Sequence, residues 1–198
     1  MASDSPSGPG LIAAFRLLRK AAELWAEGRR SEAESAARQG CAEVQAYAGP
    51  DEPEVARICH ELAELLDQLD LRADAEALHR RAGTILAAVA PGGESDRQRV
   101  RCAQSLAANL WAQHRDGEAE QVLVAALTLA EGLLGPDDID TVDTTVQLAA
   151  LLEQLGRKDE SAALYRQAFE RSRAAGLTDA EFPSASDLAD LFGPRATR

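Results

Sequence analysis

Three histidines and three cysteines are the side chains of this chain best suited to metal or nucleophilic chemistry, and their spacing limits what they can do. His60, Glu61 and Glu64 read H-E-x-x-E. On a helix His60 and Glu64 share a face, but a zinc site of that type needs a second histidine that this stretch lacks. Cys41, Cys59 and Cys102 are odd in number, widely spaced and set in apolar-periodic segments. They read as small buried hydrophobes in a reducing compartment, not as redox centres. The carboxylate pairs Asp51-Glu52 and Asp137-Asp138 stand where helices begin, where the helix dipole favours them. No glycine-rich phosphate loop, nucleophile elbow or metal-ligand cluster is present. The expectation is a protein with no catalytic residues, no cofactor and no metal.

Chemistry of binding is left, and it depends on the elements that carry the side chains. The chain has 198 residues, 33 acidic against 21 basic, for a formal net charge of −12. Nucleic acid and anionic membranes need a basic footprint and are excluded as default partners. No apolar run reaches the length of a membrane span, and the first ten residues do not read as a signal peptide, so the expected location is cytoplasmic. Alanine is roughly a fifth of the chain, and the abundance of Ala, Leu, Glu, Arg and Gln favours helix almost throughout. Nearly all the positive charge is arginine, a bias expected of a GC-rich bacterial genome.

Turn residues cut the helical text at a fixed period. Gly49, Gly92 and Gly135 fall 43 residues apart, and weaker breaks at Gly28, Asp70, His114 and Gly156 are spaced 42, 44 and 42. Two breaks per period mean a helix, a short turn, a second helix and a longer loop, repeated. Aligned on the short turn, four columns emerge. Seven before it stand Ala21, Ala63, Ala107 and Ala149; four before it, Leu24, Leu66, Leu110 and Leu152. Five after it stand Ala33, Ala75, Ala119 and Ser161; twelve after it, Gly40, Ala82, Ala126 and Ala168. Small residues let antiparallel helices approach closely, and leucine fills the space between them. In this register His79 shares a column with Leu123 and Tyr165 and is expected inside, whereas His114 takes a turn position and is expected outside.

The columns resemble those of the tetratricopeptide repeat, with Leu62-Ala63 and Leu66, Leu106-Ala107 and Leu110, and Leu148-Ala149 and Leu152 on first helices. Second helices continue it as Ala75-His79-Ala82, Ala119-Leu123-Ala126 and Ser161-Tyr165-Ala168. The period and the loop Leu134 to Asp137 resemble the longer repeats of kinesin light chain and its bacterial relatives, over about Leu11 to Gly176. The resemblance implies an all-α fold, a right-handed superhelical solenoid of four helix pairs closed by a C-terminal capping helix. First helices are expected over 11–27, 52–69, 95–113 and 137–155, and second helices over 30–48, 72–89, 116–133 and 158–175. Residues 1–10 read as a disordered tail, 11–176 as the repeat domain and 177–198 as cap and tail. The cap is placed at 184–192; the alternative there is an acidic-hydrophobic docking motif, Leu188 to Phe192.

In such repeats the first helices line the concave face, which places the partner surface on particular columns. Three before the turn stand Trp25, Asp67, Trp111 and Glu153; ten before it, Leu18, His60, Gln104 and Val146; thirteen before it, Phe15, Arg57, Arg101 and Asp143. Partner contacts are therefore expected at Trp111, Arg101, Arg57, His60 and Gln104, with Phe15, Leu18 and Trp25 in the first repeat. The two tryptophans also admit a reading as ordinary core. The residues that hold a chaperone's terminal carboxylate, or that hold peptide backbone in kinesin light chain, are not matched on these columns. The resulting expectation is a non-catalytic adaptor or regulator binding a protein or peptide, with an acidic or mixed peptide admissible. The alternative is an assembly protein that dimerises through the apolar cluster Leu11, Phe15, Leu18 and Trp25.

Overall fold

The structure is a computed structural model that describes residues 9–47 and 53–176. Eight helices follow one another, with no strand among the described residues. They are α1 (Pro9–Ala26), α2 (Arg30–Ala46), α3 (Pro53–Gln68), α4 (Arg72–Ala88), α5 (Gly93–Ala112), α6 (Asp116–Leu133), α7 (Ile139–Gln154) and α8 (Lys158–Ala174). The start of α1 corrects the expected tail. Proline lacks an N–H and has a fixed φ, so Pro9 suits a first helical position, and the helix begins there instead of at Leu11. The rest of the expected tail and the helix expected over 184–192 lie outside the described residues.

The short turns repeat one backbone solution. Gly28, Asp70, His114 and Gly156 all have positive φ, at 75°, 63°, 60° and 78°. At three of them the same pair of hydrogen bonds closes the helix. Arg29, Leu71 and Arg157 donate their N–H groups to the carbonyls of Leu24, Leu66 and Leu152 at 2.9, 2.8 and 2.9 Å. Gly28, Asp70 and Gly156 donate to Trp25, Asp67 and Glu153. This is a Schellman closure, in which a left-handed residue satisfies carbonyls left over by the helix end. Glycine adopts it without strain; aspartate and histidine are among the side chains that tolerate it. The loop before α7 works differently: Asp138, in extended conformation, accepts the N–H of Asp140 at 3.0 Å as an N-cap.

Every residue of the four small and leucine columns is buried. The chain divides into two compact units, Met1–Gln113 and His114–Arg198. In the first, α1 packs on α2, α3 on α4 and α4 on α5, and α3 also touches α1, α2 and α5. Its core runs through Leu11, Ala14, Leu18, Leu24, Ile58, Leu62, Leu66, Leu78, Ile85 and Leu86. In the second, α7 packs on α6 and α8, around Val142, Ala149, Tyr165 and Ala168.

An arginine motif marks three of the four second helices. Arg29, Arg115 and Arg157, each just before the helix, grip Glu32, Glu118 and Glu160 with two parallel hydrogen bonds of 2.5–2.7 Å. Leu71 and Asp74 occupy these positions in α4, which has no such pair.

Candidate functional site

All eight residues expected to contact a partner lie in the first unit, on α1, α3 and α5. The structure sorts them. Leu18 is 8% exposed and belongs to the core, and Gln104 is 7% exposed, so neither presents a surface to a partner. The reason is helical geometry. The column ten before the turn lies one turn ahead of the buried alanine column and shares its face. Columns thirteen and six before the turn neighbour it on the flank turned away from the alanine and leucine columns. Arg101, Ala22, Glu64 and Ala108 are exposed there, and Phe15 and Arg57 are half-buried.

Arg57 is not an available cation. Its guanidinium donates to Glu54 at 2.5 and 2.9 Å and to Glu61 on the next turn, and it stands 5.9 Å over the Phe15 ring. These bonds, Glu54's first, raise its pKa above the ordinary arginine range. Trp25 is half-buried, packed against the core, with the Arg30 guanidinium 5.4 Å over its ring. Trp111 is half-buried and follows Leu110, which is wholly buried.

Between α3 and α5 the surface opens into a cleft of about 300 Å³, lined by Glu64, Asp67, Gln68, Arg72, Ser105, Ala108 and Asn109. Its floor is a polar network that sequence reasoning missed. Asp67 binds His79 Nε2 at 2.9 Å through one oxygen and accepts from Asn109 Nδ2 at 2.5 Å through the other. The same amide of Asn109 donates to the Arg72 carbonyl at 3.1 Å, and Gln113 donates to Asn109 at 2.7 Å and to Glu76 at 3.1 Å. Asp67 thereby joins α3, α4 and α5. His79 is 1% exposed, as its column implied, but as a bonded polar group and not as plain packing. The signal was present: Asp67 to His79 and Glu153 to Tyr165 are the same two repeat positions, each pair capable of a hydrogen bond.

His60 stands beside this floor. Its Nε2 lies 3.4 Å from Glu64, and its ring centroid is 5.7 Å from that of His79. The Nδ1 atoms of both rings are buried without a hydrogen-bond partner. Burial foremost, together with the nearby His79 and Arg101 charges, holds the His60 pKa below its ordinary value, against the pull of Glu64 and Glu61. A buried Nδ1 with no acceptor makes the same point geometrically, because the second proton would have nowhere to bond. Cys59 and Cys102 are buried. Burial, with the charges of Glu64 and Cys59, pushes the Cys102 thiol up to about 12, far from thiolate reactivity. Among the described residues no group of three metal-ligating side chains is gathered, and no helix is long and apolar enough to cross a membrane.

Comparison with known proteins places this architecture. A tetratricopeptide-repeat family model matches residues 99–174. No curated protein matches the chain in sequence. Among solved structures, a putative kinesin light chain with TPR-like repeats from Podosopora anserina superposes with a TM-score of 0.71 at 18% identity, over 88% of this chain and 80% of that one. BtubC (BKLC) from P. vanneervenii gives 0.67 at 18% identity, over 93% and 74%. The Rap conjugation gene regulator of plasmid pLS20, solved with the Phr* peptide, gives 0.59 at 15% identity, over 98% and 53%. At these identities the structures establish the fold, and the sequence match identifies the repeat itself. Residues 99–174 thus match the tetratricopeptide repeat in sequence, and the chain shares the fold of kinesin-light-chain-like repeats.

Proposed function

We propose that this chain is a non-catalytic interaction module, an adaptor or regulator, that receives a protein or peptide partner on the first-helix face of its first unit. The cleft between α3 and α5 carries this reading. Its lining offers a carboxylate at Glu64, a second at Asp67, and hydrogen-bonding groups at Gln68, Ser105 and Asn109. Asp67 and Asn109 are already held by the network beneath, so a partner would meet groups ordered before it arrives, which lowers the entropic cost of binding. Arg101, His60 and Trp111 border the same helices, and Phe15 lies on the neighbouring α1. The family is one of protein-interaction repeats, and the pLS20 Rap structure contains a bound peptide. Three buried free thiols fit the cytoplasmic setting expected from sequence.

Dimerisation through α1 keeps only part of its marker, the half-buried Phe15 and Trp25. Leu11 and Leu18 are at 1% and 8% exposure within their own unit, and Trp25 packs against the same core. The binding reading is tested by affinity capture from native extract with wild type and a Glu64→Arg/Ala108→Arg variant. Both side chains are exposed at the cleft, so helicity should be unchanged while the captured partner is lost. Capture of the same protein by both would place the contact elsewhere.

A further inference from the structure

Most arginines of this chain already have a partner within it. Arg29, Arg115 and Arg157 grip glutamates, Arg57 sits between Glu54 and Glu61, and Arg81 and Arg99 bond the closing carbonyls of α2 and α4. Helix α1 is built otherwise. Arg16, Arg19 and Lys20, spaced to share one helix face, are all exposed. Among the described residues Arg16 and Lys20 enter no ion pair, and Arg19 reaches only Glu23, at 3.6 Å, with side chains 69% and 66% exposed. Like charges three and four residues apart weaken a helix, and the acids set against them are Glu23 on α1 and Glu32 on α2. A shallow groove of about 150 Å³ follows it, lined by Phe15, Arg16, Arg19, Lys20 and Glu23.

We propose that α1 docks a short carboxylate-rich segment of a protein partner, its acidic groups on Arg16, Arg19 and Lys20 and an apolar side chain against Phe15. The inference rests on the interaction reading above and specifies the chemistry of what is bound. Charge complementarity calls for an anionic ligand, since guanidinium and ammonium groups form their strongest hydrogen bonds with carboxylates and phosphates. A lipid surface fits less well, because the apolar stripe of α1 (Leu11, Ala14, Leu18 and Ala21) is buried and leaves Ile12, 37% exposed, and the half-buried Phe15 as the side chains that could insert. A nucleic acid fits poorly too. Duplex DNA carries a charge every ~1.7 Å along its axis, whereas the adjoining α3 presents Glu61 and Glu64. The basic cluster is short, and so is the acidic segment it matches.

Fluorescence anisotropy of a labelled octapeptide of alternating Glu and Leu, titrated with the full chain, tests the proposal. The variants are Arg16→Gln/Arg19→Gln/Lys20→Gln and, as a charge-matched control in the second unit, Lys158→Gln/Arg166→Gln/Arg173→Gln. Wild type and control should bind the peptide and lose it as salt rises, and the α1 variant should bind at least tenfold more weakly with its circular dichroism unchanged. A Gln–Leu peptide should not bind. Equal binding by the α1 variant, or no binding by wild type, overturns the proposal. So does tighter binding of an oligonucleotide or of phosphatidylserine vesicles than of the peptide. A wild type that ignores the peptide yet captures a partner through Glu64 and Ala108 would overturn this specification alone and leave the interaction reading standing.

Discussion

Helix pairs α3–α4 and α7–α8 set the same two repeat positions against each other and fill them differently. In the first pair Asp67, half-buried, bonds His79 at 2.9 Å and reaches on to Asn109 in the next repeat. In the second, Glu153 is exposed and the Tyr165 hydroxyl meets it at 3.4 Å. The alanine and leucine columns around both are the same and are buried in both. Close packing fixes the size of residues in those columns, while the position three before the turn is left free to carry polarity. In the first unit that freedom ties three helices together under a cleft.

The largest expected effect breaks this contrast directly. Asp67→Ala removes two charge-assisted hydrogen bonds and strands His79 and Asn109, at a cost of about 2–3 kcal/mol. Glu153→Ala, at an exposed site, should change stability by less than about 0.5 kcal/mol. Both tryptophans lie in the first unit, so urea unfolding followed by tryptophan fluorescence reads the Asp67 effect where it occurs. Comparable losses for the two variants would show that the polar network adds nothing beyond a surface pair.

Protonation should separate the units next. His60 has a depressed pKa in the folded chain, so the unfolded chain takes up its proton first. Stability is therefore present above about pH 6.5, the ordinary histidine value, and declines as pH falls towards the lower folded pKa. His60→Gln should flatten that decline in the tryptophan signal. Asp143 in α7 has the opposite sign. Burial foremost, with the Asp140 charge, raises its pKa, although the hydrogen bond from Gln147 opposes the shift. Its contribution is present at low pH and is lost as pH rises through that raised value. Asp143→Asn should accordingly raise the melting temperature at pH 7 but not at pH 3; a rise at both would remove ionisation as the cause.

The smallest effect concerns the arginine forks. Leu71→Arg would complete the motif of the other second helices, with Asp74 three residues on in the place of their glutamates. Exposed pairs of this kind contribute little, and Leu71 is half-buried against the core, so calorimetry should find no gain in melting temperature and a small loss from the packing given up. A clear rise would mean that the forks stabilise the turns after all.

The repeat was legible because packing acts on single columns. Ala21 and Leu24 announce themselves through Ala63 and Leu66 with no knowledge of what touches them, and the helix boundaries followed to within about two residues. Asp70 and His114 were legible as turns because they replace glycine at a fixed period. The network was not legible, since Asp67 and Asn109 come from different columns of successive repeats, 42 positions apart. Leu18 and Gln104 were misplaced for a related reason. Their column was assigned to the groove by family likeness, while its helical phase, one turn from Ala21 and Ala107, sets it beside the buried face, where Leu18 and Gln104 are buried and His60 and Val146 half-buried. Arg57 showed its charge in sequence but not Glu54 and Glu61 closing on it.

Amide hydrogen exchange on the full chain, with and without its captured partner, tests the central claim most directly. If the first-helix face of the first unit is the binding surface, protection should rise in peptides spanning Arg57–Gln68 and Arg101–Ala112 and stay unchanged in α7 and α8. Protection confined to α7 and α8, with α3 and α5 exchanging as before, would contradict it.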